Sequence, residues 1–250
     1  MSLSKGEIYE MMRNKKYPLS SKYDPDWIIE NQMGSHCLWL LESLVQVMDI
    51  GPGMRILDMG CGKAISSIFI AKEFGAQVWA NDLWVSATDN WKRICEAGVD
   101  SLVYPIHAEA HALPYADGFF DAVVSINSLQ FYGTDEYYMK HHFARIVKPG
   151  GQIGIVIPGL YKEFDGEIPE YIRPYWDPEF FSWHSPDWWK RHWNKTGLVD
   201  VELADTFPDK EGYDTFYKFG IIVDSSDKLI PADEGRNISF VRVVARKNRT

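Results

Sequence analysis

Residues 56–64, Ile-Leu-Asp-Met-Gly-Cys-Gly-Lys-Ala, close an apolar run with two glycines one residue apart, and Asn81-Asp82 closes the next apolar run. Glycine has no Cβ, so Gly60 and Gly62 let the chain turn sharply and bring its backbone to van der Waals distance of a ligand. A helix opening near Ala64 turns its unpaired N–H groups and positive dipole end toward that loop. Asp82 follows Gly62 by 20 residues, the separation that one strand-helix-strand unit requires. A carboxylate there can accept hydrogen bonds from both hydroxyls of a cis-diol such as ribose. The chemistry indicated is the capture of a nucleoside-bearing ligand.

Two ligand classes share this outline. A dinucleotide loop needs a third glycine three residues after the second, where pyrophosphate and helix crowd together, but that position is Ile65. Asp58, two residues before Gly60, sets a negative charge where pyrophosphate is repelled and a sulfonium ligand with an ammonium group is attracted. An NAD-dependent oxidoreductase is therefore the alternative reading, disfavoured by Ile65 and Asp58.

The pattern continues downstream. His107-Ala-Glu-Ala-His-Ala-Leu-Pro-Tyr-Ala-Asp-Gly-Phe-Phe-Asp121 leads into an apolar strand, and Lys148-Pro-Gly-Gly-Gln-Ile-Gly-Ile155 turns into another. In order and spacing the set resembles the class I S-adenosylmethionine-dependent methyltransferases of small-molecule type. Two positions depart from that family: Ala64 stands where a third glycine is usual, and Glu109 where Asp is usual. The resemblance implies S-adenosyl-L-methionine as cofactor, with the backbone at Gly60, Cys61 and Gly62 holding its methionine part and Asp58 helping toward the ammonium. It further places Asp82 on the ribose hydroxyls, Leu83 against adenine, Glu109 and Ala110 along the adenine edge, and Asn127 near the methionine moiety. A cofactor-binding protein without transfer activity shares the same loop and stays open as a second alternative.

Positioning these residues takes alternating elements. The apolar pattern predicts a helix over Cys37 to Met48, ended by Gly51-Pro52-Gly53, then strand 55–59, helix 64–74 stopped by Gly75, strand 77–81, helix 84–97 stopped by Gly98, and strand 102–106. Strand 121–126, helix 135–147 and strand 152–157 follow. Ser185-Pro186-Asp187 reads as a cap, a first-turn proline and a dipole-favoured acid opening helix 186–196. Strands near 199–206 and 239–246 complete the expectation: one α/β domain over 1–250, a Rossmann-like, doubly wound, seven-stranded and mostly parallel sheet behind a helical segment, 1–50. Ligands on such sheets bind beyond the carboxyl ends of the strands.

Residues 158–185 break the periodicity and form an aromatic-rich lid insertion after the fifth strand, expected over the cleft. Residues 160–193 hold 11 of the 36 aromatics. Between Tyr161 and Asp187, seven carboxylates face only Lys162 and Arg173, a balance of −5. Rings beside carboxylates attract amines by about 0.5–2 kcal/mol per contact, so the expected acceptor is a small amine or an aromatic compound. Methyl transfer needs alignment more than a base; His184 and Tyr132 are the candidates if one is used. The segment Trp27 to His36, upstream of the first helix, is expected to fold over near the cofactor loop, as such amino-terminal segments do in similar enzymes. His36 and His107 lie near cofactor elements, and His141-His142 sit on a helix surface.

The composition bounds the rest. A net charge of −9 argues against a nucleic-acid substrate, which is bound mainly through Lys and Arg. Three scattered cysteines make neither a disulfide framework nor a zinc site, and no histidine pair has metal-ligand spacing. No run reaches the length of a membrane span and no apolar secretion segment opens the chain, so the expected address is the cytoplasm. The sequence says nothing of oligomeric state.

Overall fold

The computed structural model describes residues 4–223 and 225–249. The amino-terminal segment forms α1 (Lys5–Met11), α2 (Pro25–Asn31) and α3 (Cys37–Val45). Then come β1 (Arg55–Met59), α4 (Ile65–Phe74), β2 (Gln77–Asp82), α5 (Ala87–Glu96), β3 (Val103–His107) and β4 (Phe120–Ile126). α6 (Ala144–Ile146), β5 (Val147–Leu160), α7 (Pro186–Asn194), β6 (Val199–Thr206), α8 (Glu211–Ile222), α9 (Leu229–Asp233) and β7 (Ile238–Lys247) complete the chain.

The seven strands form one sheet in the order β3-β2-β1-β4-β5-β7-β6. All neighbours are parallel except β7, which runs antiparallel to β5 and β6. The order reverses between β1 and β4, so the chain ends emerging there diverge and leave a crevice. Alternation along each strand feeds two cores. Ile56 faces α3 and α4 with Ile68 and Phe69, while Leu57 and Met59 face the opposite layer with Trp189 and Trp193 of α7. Burying two tryptophan side chains in full makes α7 a principal anchor of that layer.

Several boundaries differ from the sequence expectation for local reasons. α5 starts at Ala87, not near 84, because the Asp82 carboxylate takes the N–H groups of Trp84 and Val85 and Ser86 caps the helix. The helix expected over 135–147 is a π-helical stretch, Met139–Phe143, running into α6, and it carries Tyr138, Met139 and Phe143 into the core. β5 runs through Leu160, so Pro158 and Gly159 belong to the sheet, paired with Phe240 and Ser239.

The insertion after β5 is present as an aromatic cluster. Trp176, Phe180 and Trp183 close on one another and on Phe164, and join Leu160, Ile172, Leu229, Ile230 and Ile238 in a core of their own. These rings are partly buried against one another, while Tyr171, Tyr175 and Phe181 stay exposed. Segment 207–238, to which the sequence reading assigns nothing, supplies α8 and α9 beneath them. Among the described residues no helix is long and apolar enough to cross a membrane.

Candidate functional site

At the β1/β4 reversal, the turn from β1 to α4 is held in left-handed backbone: Gly60 at φ 76°, Gly62 at 53° and Ala64 at 62°. A Cβ on Gly60 would lie 1.9 Å from Ser128 Oγ, so only glycine fits between the loop and the chain leaving β4. Ala64 accepts the same handedness as a non-glycine residue, which is how the loop keeps its course without a third glycine.

Asp82 organises the loop. Its Oδ2 accepts the Gly62 N–H at 2.8 Å, and its Oδ1 accepts those of Trp84 and Val85 at 2.8 and 2.9 Å. Gly60 and Cys61 donate to the Asn81 carbonyl at 2.8 and 3.1 Å, and Asn90 Nδ2 donates to the Gly62 carbonyl at 2.9 Å. The amide hydrogens of all three loop residues are thus committed inside the protein, leaving a ligand the Cα surfaces and carbonyl side of the turn. Asp82 still has lone pairs for hydroxyl donors, and it lines the cavity.

That cavity measures about 570 Å³, within the range that holds a nucleotide-sized ligand with a small partner. Its wall takes in Gly60, Cys61, Gly62, Asp82, Leu83, Glu109, Ala110, Asn127 and Tyr132, bringing nine of the sequence-derived site residues together. Leu83 is half exposed at the mouth beside Trp84, whose ring meets Phe131 at 5.7 Å. Glu109 accepts from the His111 amide at 2.7 Å and faces His111 Nδ1 at 2.9 Å. The His111 bond holds its carboxyl below the usual range, ahead of the smaller opposing effect of burial. Asn127 is at φ 54° with both amide atoms buried and unpartnered.

Two expected residues are placed elsewhere. Asp58 is buried beneath the loop and is not part of the cavity wall. Its Oδ2 accepts from Ser66 Oγ and Ser67 Oγ at 2.5 and 2.6 Å, and its Oδ1 has no partner. Burial pushes this carboxyl up to about 6, against the pull of the two hydroxyls. His184 is stacked on Trp188 at 3.7 Å with Nδ1 3.2 Å from Glu163, outside the cavity, so the fold does not bring it to the reacting space. Tyr132 does line the cavity; its hydroxyl is 3.1 Å from Ser128 Oγ, and burial raises its pKa. Of the other histidines, His36 is buried against Trp39 and pushed down to about 3 by burial, and His107 Nε2 lies 2.7 Å from the Leu83 carbonyl.

Gln32, Met33 and Gly34, from the connection between α2 and α3, lie in the segment Trp27 to His36 that was expected near the cofactor loop, and they line the cavity. Sequence reasoning missed the rest of the wall, Gln130 and Phe131 from the turn after β4 and Phe216 from α8.

The residues fit S-adenosylmethionine: a glycine cradle that any Cβ would fill, a carboxylate beside it, and an unpartnered amide at Asn127 facing the same space. Comparison with known proteins agrees. Residues 56–151 match the methyltransferase domain family. An uncharacterized protein of Mycobacterium tuberculosis is 37% identical over 133 residues, 53% of this chain and 47% of that protein. Methyltransferase GfsG of Streptomyces halstedii is 31% identical over 121 residues, 46% of this chain and 42% of its own length. The chain thus spans about half the length of these relatives. Among solved structures, phosphoethanolamine N-methyltransferase 2 of Haemonchus contortus in complex with S-adenosyl-L-methionine shares the fold, at 20% or less identity: TM-score 0.70, 19% identical, over 96% of this chain and 60% of that one. Residues 56–151 of this chain are therefore a methyltransferase domain, set in a fold shared with S-adenosylmethionine-dependent methyltransferases.

Proposed function

We propose that this chain transfers the methyl group of S-adenosylmethionine to an uncharged, largely apolar small molecule. The observation that carries the reading is one continuous cavity whose wall runs from the glycine loop and Asp82 to Phe131, Tyr132, Pro158 and Phe216. One end matches the donor and the other offers an acceptor rings and aliphatic surface.

When bound, S-adenosylmethionine supplies a methyl carbon already activated on a positively charged sulfur. The protein's own work is alignment and exclusion of water. Gly60 lets the loop approach, Asp82 holds both the loop and the sugar hydroxyls, and Leu83 with Trp84 and Phe131 screens the mouth. Tyr132 keeps its proton far above neutral pH because ionisation in this setting is costly. It therefore serves as a hydrogen-bonding group toward the acceptor, and no histidine base is required.

The acidic insertion gives no support to a cationic acceptor, because its carboxylates do not line the cavity. The relative shares of amine and aromatic acceptors are tested by incubating the chain with methyl-labelled S-adenosylmethionine and a panel of phenols, quinones and amines. Label transfer to phenols or quinones ahead of amines is expected. Binding of the donor with no transfer across the panel would favour a sensor role, and uptake of NAD in its place would end the transferase reading.

A further inference from the structure

Trp84 is the most exposed large apolar side chain among the described residues, at 71%, and its ring meets that of Phe131, 53% exposed, edge to face at 5.7 Å. Trp84 follows β2 and Phe131 follows β4, the two strands that flank β1. The pair therefore bridges the carboxyl end of β1, where the glycine turn begins. Both rings stand on fixed backbone. Asp82 Oδ1 accepts the Trp84 amide at 2.8 Å, and Phe131 ends a 3₁₀ turn, its amide donating to the Ser128 carbonyl at 3.0 Å. Leu83, 50% exposed, and Met33, 40% exposed, join them, and all four residues line the cavity. The cavity thus opens through an apolar rim.

Rings left in water at a built position are matched to an apolar surface that covers them. The exposed parts of the four side chains come to roughly 400 Å², about half of the roughly 800 Å² that each partner gives to a stable protein interface. That area is too small for a second protein and suits the flank of one small molecule. Because the rim is continuous with the cavity, a molecule lying on it extends outward from the site of methyl transfer. The ionisable groups of the wall that reach solvent are engaged elsewhere, Glu109 with His111 at 2.9 Å and Lys63 Nζ with the Glu30 carbonyl at 2.7 Å. The rim therefore offers contact to hydrocarbon and no counter-ion to a charge.

Resting on the transferase reading, we infer that Trp84 and Phe131 are specificity-determining residues that bind an apolar tail of the methyl acceptor outside the cavity while its reacting head lies within. The acceptor class is an uncharged amphiphile, a polar head on a hydrocarbon chain that outreaches the cavity. With S-adenosylhomocysteine saturating the full chain, calorimetry is run on two head-group series, 4-alkylphenols and 4-alkylanilines, with methyl, propyl and pentyl tails. The readout is the gain in affinity per added methylene, which a loss shared by a whole series does not move. In at least one series that gain is expected to be about twofold, since one side of the tail stays in water. Trp84→Gln and Phe131→Gln are each expected to cut it below about 1.3-fold. Both side chains are mostly exposed, and either variant decides the matter if the other does not fold.

A flat response in both series, a gain that survives in a folded variant, or no binding of any member overturns the inference alone. So does a large loss of S-adenosylhomocysteine affinity in both variants, which would assign the rings to the donor. Two further results overturn it: sedimentation of the unaltered chain with phosphatidylcholine vesicles that both variants lose, giving the rim to a bilayer, or a dimer in light scattering that both variants dissolve. Failure of the unaltered chain to bind S-adenosylhomocysteine overturns the transferase reading as well.

Discussion

The carboxylate of Asp82 holds the Gly62 amide at 2.8 Å, so the acid at the end of β2 fixes the turn at the end of β1. The same side chain has capacity left for ligand hydroxyls. A single residue therefore shapes the donor cradle and forms part of its lining.

Asp82→Ala is expected to weaken S-adenosylmethionine binding at least about tenfold, the loss of roughly one charge-assisted hydrogen bond. Titration calorimetry reads this directly, and unchanged affinity would remove the ribose role.

Gly60→Ala forces a methyl to 1.9 Å from Ser128 Oγ at a φ of 76°. Clash and backbone strain together are expected to cost about 2 kcal/mol or more of stability and to abolish donor binding. Ser128→Gly in the same chain relieves the clash but leaves the strained backbone, so thermal unfolding should show partial recovery only.

Asp58 should make stability depend on pH. Its folded carboxyl, near 6, is raised by burial above the ordinary value of 3.8. The folded state then holds its proton more tightly than the unfolded chain, and stability falls as pH rises from about 4 to about 6. A shift of about two units corresponds to about 3 kcal/mol. Asp58→Asn should flatten that part of the profile in urea unfolding measured from pH 4 to 7. A mutant profile parallel to that of the unaltered chain would refute the assignment.

His184→Ala is expected to leave transfer kinetics unchanged, because the ring stacks on Trp188 outside the cavity. Lost packing and the contact with Glu163 should lower stability by about 1 kcal/mol. A large fall in kcat with normal folding would return His184 to the mechanism.

The parallel half of the sheet was legible because alternation and glycine punctuation are local: Ile56 and Leu57 face opposite layers, and Gly75 ends α4 in left-handed backbone. α7 was readable from Ser185-Pro186, which cap it as expected. The aromatic insertion was legible from its composition, but not the surface it packs on, since composition reveals an appetite for burial without naming its partner; Trp183 stacks on Phe216 of α8. α8 went unread since it opens behind a left-handed Lys210 with no capping side chain. Gln130 left no trace in the sequence, since a lone amide has no spacing rule.

Met33 hangs over the glycine loop, with its sulfur 3.1 Å from the place a Gly62 side chain would begin. The amino-terminal arm is thereby part of the cradle's own wall, so a change made in that arm, outside the sheet, reaches the glycine turn through Met33.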